Sequence, residues 1–257
     1  MTLDSSFLAV HLNTRVRVRL RVARGHLDEP CAELIERMLD KSLPRGLSGF
    51  VFRLAQALGA SQEDALGAGT VAEFAYAAVD LADDIEDGDA SRWLSDVPEP
   101  LRVNLVTQAV ALALAEAAEA ERTWGASLAA EAGAELVRAA SGQRAELLRE
   151  TWSVEAYVRS ADATAGPFRL FLRAAAAAAR RDPGPLLRVA APLALLCLIR
   201  SDEAQHDLRW LGLDVEQMEE ARARAIAGTE SALAEAPPEA RPLLEELAAA
   251  ARSSLGR

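Results

Sequence analysis

The stretch Ala77–Asp89 reads AAVDLADDIEDGD, with Asp80, Asp83, Asp84 and Asp87 at i, i+3, i+4 and i+7. On an α-helix those positions project from one face. Like charges at this spacing repel, and negative charge near a helix C-terminus opposes the macrodipole. The arrangement is unfavourable unless something positive compensates it. Mg²⁺ is the natural candidate, because it takes one or two carboxylates and completes its shell with phosphate oxygens and water. A solvated acidic helix end is the ordinary alternative. Against it, the upstream run Val71–Leu81 is almost entirely apolar, so the acids stand at the mouth of a buried helix.

The rest of the chain agrees with a helical frame. Of 257 residues, 51% are hydrophobic, enough for one substantial core. Alanine, leucine, arginine and glutamate dominate, while aromatic and β-branched residues are few, so an all-α fold is expected. The net charge of −11 disfavours a nucleic-acid partner. The basic side is almost wholly arginine, with Lys41 the single lysine. Cys31 and Cys197 are far apart in apolar settings and suggest neither a disulfide scaffold nor a zinc site. No basic segment followed by a long apolar stretch opens the chain. The longest unbroken apolar runs, Ala174–Ala179 and Val189–Ile199, are too short to cross a bilayer. The expectation is a cytoplasmic protein without a membrane span.

Residues 1–28 read as an N-terminal arm and 29–257 as one helical domain. In the arm, Thr14–Arg24 alternates apolar residues with arginine, the period of a strand or an extended segment. Helices are expected over Glu29–Leu39, from a Ser48 cap to about Leu58, and from a Ser61–Asp64 capping box through Leu81 to near Gly88. Further helices are expected at Leu101–Ala120, Leu128–Ala140 and Leu186–Leu211. Two or three more follow, split near Pro237-Pro238 and Pro242. Breaks are expected at Gly142, Gly166-Pro167 and Pro183-Gly184-Pro185.

The segment Gly69–Asp89, GTVAEFAYAAVDLADDIEDGD, resembles the first aspartate-rich motif (DDxxD) of the trans-isoprenyl diphosphate synthases. Glu73-Phe74 fits the glutamate and apolar residues that precede the aspartates in that family. Other matches follow in order. Ala57-Leu58-Gly59 resembles the end of the second core helix, and Gly142-Gln143 the mid-chain Gly-Gln. Tyr157 and then Ala163-Thr164-Ala165-Gly166-Pro167-Phe168 stand where the family has a tyrosine and a Lys-Thr-Gly segment closing on Phe. Leu198–Asp207 stands where the second aspartate-rich motif belongs. The resemblance covers about Glu29–Leu211. It implies a single-domain isoprenoid synthase-type helical bundle, a prenyl diphosphate substrate, Mg²⁺ and, by analogy, a homodimer.

Three departures bear on the reaction. The family's Gly-Lys-Arg motif is reduced to Lys41 and Arg45, and the lysine of its Lys-Thr segment is Ala163. A diphosphate is multiply negative, so losing these cations should weaken the isopentenyl diphosphate pocket. The second metal motif retains Asp202, flanked by Ser201, Gln205, His206 and Asp207. Arg159, Asp162 and Ala163, just before Gly166-Pro167, resemble the sensor, linker and effector of class I terpene synthases, which share the fold. Arg209 stands where that family's metal-binding glutamate would be.

The resemblances imply an Mg²⁺-dependent class I terpene synthase-like enzyme. It would ionise a C15 or C20 prenyl diphosphate and cyclise or quench the carbocation. Asp83, Asp84, Asp87, Asp202, Gln205 and His206 are the implied metal residues, and Arg159, Asp162 and Ala163 the catalytic ones. Phe74, Ala78, Val79, Phe168, Gln143 and Arg45 would meet the substrate. Two alternatives stay open: a divergent isoprenyl diphosphate synthase that recruits Arg45, Arg53 or Arg169 in place of lysines, or a noncatalytic partner subunit of one.

Overall fold

The computed structural model describes residues 11–12, 14–19, 29–42, 46–88, 93–149 and 151–252, and all its regular elements are helical. The helices are α1 (residues 14–19), α2 (Glu29–Ser42), α3 (Gly46–Ala57), α4 (Gln62–Glu86), α5 (Glu99–Trp124) and α6 (Leu128–Leu147). They continue as α7 (Val154–Thr164), α8 (Gly166–Ala178), α9 (Gly184–Gln205), α10 (Leu208–Leu211), α11 (Val215–Glu235) and α12 (Arg241–Arg252).

Helix α4 is the axis of the bundle. Ser61 caps it, accepting the Asp64 amide at 3.1 Å. Most residues from Ala65 to Leu81 are buried, and α3, α5 and α8 pack round them. Small side chains let the neighbours close in. A Cβ at Gly69 would lie 2.7 Å from Leu12 and one at Gly67 2.9 Å from the Trp124 ring. On the other side, α9 packs against α11, α8 and α7, and α6 against α7 and α8.

Several expectations are corrected. Residues 14–19 form a helix where the alternating pattern suggested an extended arm. Helical spacing brings Leu12 and Val16 into the core and aims Arg15 and Arg19 at Glu63 of α4 and Glu116 of α5, so docking overrides the period-two pattern. Ser48 lies buried inside α3 and does not cap it. Gly142 lies within α6; its missing Cβ serves an approach to α7, since one there would stand 2.7 Å from the Ala163 Cβ. Pro242 sits in the first turn of α12, where it interrupts nothing. The stretch expected as one helix to Leu211 divides at His206, whose positive φ of 57° ends α9.

The reading of apolar runs also needs correction. Whole helices α4, α5 and α9 are long and apolar enough, by length and composition, to cross a membrane. The apolar window of α4 is 78% buried inside the bundle, whereas those of α5 and α9 are 28% and 39% buried.

Candidate active site

The acidic cluster stands at the C-terminal end of α4. Asp83 and Asp84 lie in its last turn, Asp87 caps it, and Gly88 leaves with a φ of 80°. That turn contains no basic residue. In the same turn the Glu86 carboxyl is pushed above its ordinary range by burial and then by the negative charges of Asp87 and of Glu146 on α6. Asp83 and Asp87 are exposed, one turn apart. Asp84 is half-buried and accepts the Trp93 indole N–H at 2.7 Å. Further down the same helix, the Tyr76 hydroxyl donates to Asp80 at 3.2 Å.

Among the described residues, no group of three His, Cys, Asp or Glu side chains could hold a metal ion unaided. The pair Asp83 and Asp87 still fits a hard divalent cation that draws its other ligands from diphosphate and water. The second set is a poorer fit. Asp202 is 1% exposed and accepts the Tyr157 hydroxyl at 2.7 Å, while Gln205 and His206 are exposed at the end of α9. These three implied metal residues are not presented together.

The Arg159–Asp162–Ala163 set is also distributed. Arg159 is exposed on α7, close enough to Glu155 to lower the Glu155 carboxyl, an effect secondary to hydrogen bonding by the Glu155 backbone and Arg224. Asp162 belongs to Arg169 of α8, which donates to its carboxylate at 3.0 Å and to its main-chain carbonyl at 2.8 Å. The same guanidinium, 8% exposed, donates to Glu135 of α6 at 2.8 Å. Ala163 faces Gly142 across the α6–α7 crossing. At Ala165 one helix ends and the next begins, with Pro167 in the first turn of α8.

The implied substrate residues fall into two groups. Phe74 and Ala78 are core, whereas Val79, Gln143 and Phe168 are partly exposed, Phe168 stacking on Phe50 at 6.3 Å. Arg45 and the side chains of Lys41 and Arg209 lie outside the described residues. Arg53 and Arg169, considered as lysine replacements, are committed elsewhere: Arg53 pairs with Glu246 at 3.1 Å and Arg169 with Glu135 and Asp162. Burial pushes the Cys197 thiol up to about 11, which leaves it protonated and inert at neutral pH.

The partners supplied from afar leave no local signal in the sequence. Trp93 for Asp84, Tyr157 for Asp202 and Arg169 for Asp162 are pairings across loops or between helices. The aromatic neighbours Trp152 and Trp210, with ring centroids 6.4 and 5.6 Å from Tyr157, were equally hidden.

This bundle, with acids at the mouth of its central helix, has the fold of the trans-isoprenyl diphosphate synthases. The geranyltranstransferase of Thermotoga maritima superposes with a TM-score of 0.74 at 16% identity, covering 95% of this chain and 99% of that one. The polyprenyl synthetase of Streptomyces coelicolor gives 0.73 at 15%, covering 96% and 99%. An FPP/GFPP synthase of Zymomonas mobilis gives 0.66 at 20%, covering 97% and 99%. No family model and no curated protein matches the chain.

Proposed function

We propose that the protein is a prenyltransferase of the isoprenyl diphosphate synthase kind. In this reading it condenses an allylic diphosphate with isopentenyl diphosphate at the Asp83–Asp87 helix end. The observation that carries it is the α4 terminus: two exposed carboxylates one turn apart, with no basic residue in that turn. Full-length likeness in fold to several prenyl synthases supports chain elongation over the cyclase first implied by the sequence. The commitment of Asp162 to Arg169 points the same way.

Asp83 and Asp87 would hold Mg²⁺, which supplies charge neutralisation to the departing diphosphate. Asp84, tied to Trp93, keeps the end of α4 in place. Val79, one turn before Asp83 and partly exposed, would meet the isoprenoid chain. The buried Ala78 beside it is small and permits a longer tail, so a C15 or C20 chain suits the site. Gln143 and Phe168, both partly exposed, would border the substrate. Arg159, exposed on α7, would meet the diphosphate.

We further propose a cytoplasmic homodimer. Leu101 and Val103 of α5, and Val137 and Leu147 of α6, are more than half exposed, as is Leu148 just beyond α6. Such side chains on neighbouring helices suit a subunit interface.

The test is incubation of the purified protein and Mg²⁺ with geranyl, farnesyl and geranylgeranyl diphosphate, with and without isopentenyl diphosphate. Longer diphosphates should appear only with isopentenyl diphosphate. Hydrocarbons or alcohols formed without it would sink this reading and restore the cyclase. No product alone, but altered output from an added synthase, would identify a partner subunit.

A further inference from the structure

The second aspartate position combines features that a metal ligand does not need. Asp202 is 1% exposed, and its Oδ2 accepts the Tyr157 hydroxyl at 2.7 Å. Tyr157 is fully buried between Trp152 and Trp210. Trp210 in turn lies under the Arg222 guanidinium, 5.1 Å from its ring centroid, and Arg222 pairs with Glu203 next to Asp202. The backbone of residue 202 is also occupied: its carbonyl accepts the amides of His206 and, at 2.9 Å, Asp207, which closes α9. A hydrated Mg²⁺ keeps several waters and needs carboxylate oxygens it can approach. A buried carboxylate with a phenol already on it is built to hold another element.

We propose that Asp202 is a buried anchor for α7, and that divalent metal is held from the Asp83–Asp87 side alone. The metal half of this inference rests on the prenyltransferase reading; the anchor half does not. Tyr157 stands two residues before Arg159 and six before Ala163, so the anchor joins the end of α9 to the helix leading into the α7–α8 break. Asp202 is thus a positioning residue. The neighbours that would complete a second metal set, Gln205 and His206, are turned to solvent.

The substitution that separates the roles is Asp202→Asn. An amide oxygen still accepts the tyrosine hydroxyl, whereas a metal ligand loses its charge. Two measurements suffice: Mn²⁺ binding in the presence of inorganic pyrophosphate, followed by the EPR signal of free Mn²⁺, and the unfolding midpoint of metal-free protein. Asp202→Asn should bind the same number of Mn²⁺ ions as the wild type with the same affinity, and unfold close to it. Tyr157→Phe should also leave Mn²⁺ binding alone but lower the midpoint by about 5 °C. Loss of a bound Mn²⁺, or a drop of more than about tenfold in its affinity, in Asp202→Asn would make Asp202 a ligand and overturn the inference. An unchanged midpoint in Tyr157→Phe would overturn the anchor. If the wild type binds no Mn²⁺ with pyrophosphate, the prenyltransferase reading and the one-sided metal site fall together. The Tyr157→Phe midpoint then still decides the anchor.

Discussion

Glu86 registers the state of the site at the scale of one residue. Burial, then Asp87 and Glu146, raise its carboxyl pKa. A group whose folded pKa is raised adds stability below its unfolded pKa, and that contribution is lost as pH rises through the folded value. At neutral pH the charged Glu86 is therefore a liability. Glu86→Gln should raise the unfolding midpoint of metal-free protein at pH 7, and the gain should vanish as pH falls below the ordinary carboxylate range, read by thermal melts at both pH values. Arg169 makes the opposite case. Replacing it with Met leaves Glu135, 2% exposed, with only the half-exposed Arg138 at 3.5 Å. A loss of about 3–5 kcal/mol is expected in urea unfolding. The acids of α4 were legible because their spacing is local. Tyr157 and Asp202 stand 45 residues apart, and nothing in either neighbourhood announces the other.

At the scale of elements, close crossings decide which glycines matter. A Cβ at Gly166 would stand 2.3 Å from the Glu135 carbonyl oxygen, so Gly166→Ala must push α8 away from α6. That should cost about 1–3 kcal/mol, measured by denaturant unfolding. Gly133, on the same α6, where a Cβ would meet only the Leu114 side chain at 4.0 Å, should accept alanine without loss. Local reading located the Ser61 cap and the Gly166-Pro167 break, because capping and ring constraints act within a few residues. It misplaced Gly142 and residues 14–19, where tertiary packing overrides the local signal. A glycine that admits a neighbouring helix reads in sequence like a glycine that stops one.

At the scale of the whole molecule, the apolar periodicity and the scarcity of β-branched and aromatic residues were enough for the helical class. The bundle's architecture was reached through the ordered resemblance, not through periodicity alone. In the proposed dimer, α5 and α6 would meet a second copy. The exposed Leu101, Val103, Val137, Leu147 and Leu148 predict a dimer in sedimentation analysis. Val137→Glu together with Leu148→Glu should shift it to monomer while leaving the helical signal intact.

Elongation of a prenyl chain at the Asp83–Asp87 end of α4 is the proposal on which the rest depends. Its most direct measurement is transfer of label from isopentenyl diphosphate into a longer diphosphate, with Mg²⁺ and geranyl or farnesyl diphosphate, by wild type, Asp83→Ala and Asp87→Ala. The wild type should give labelled product and each variant at least a hundredfold less (about 3 kcal/mol), with helical circular dichroism unchanged. Wild-type rates in both variants, or unlabelled terpenes as the only wild-type product, would contradict it.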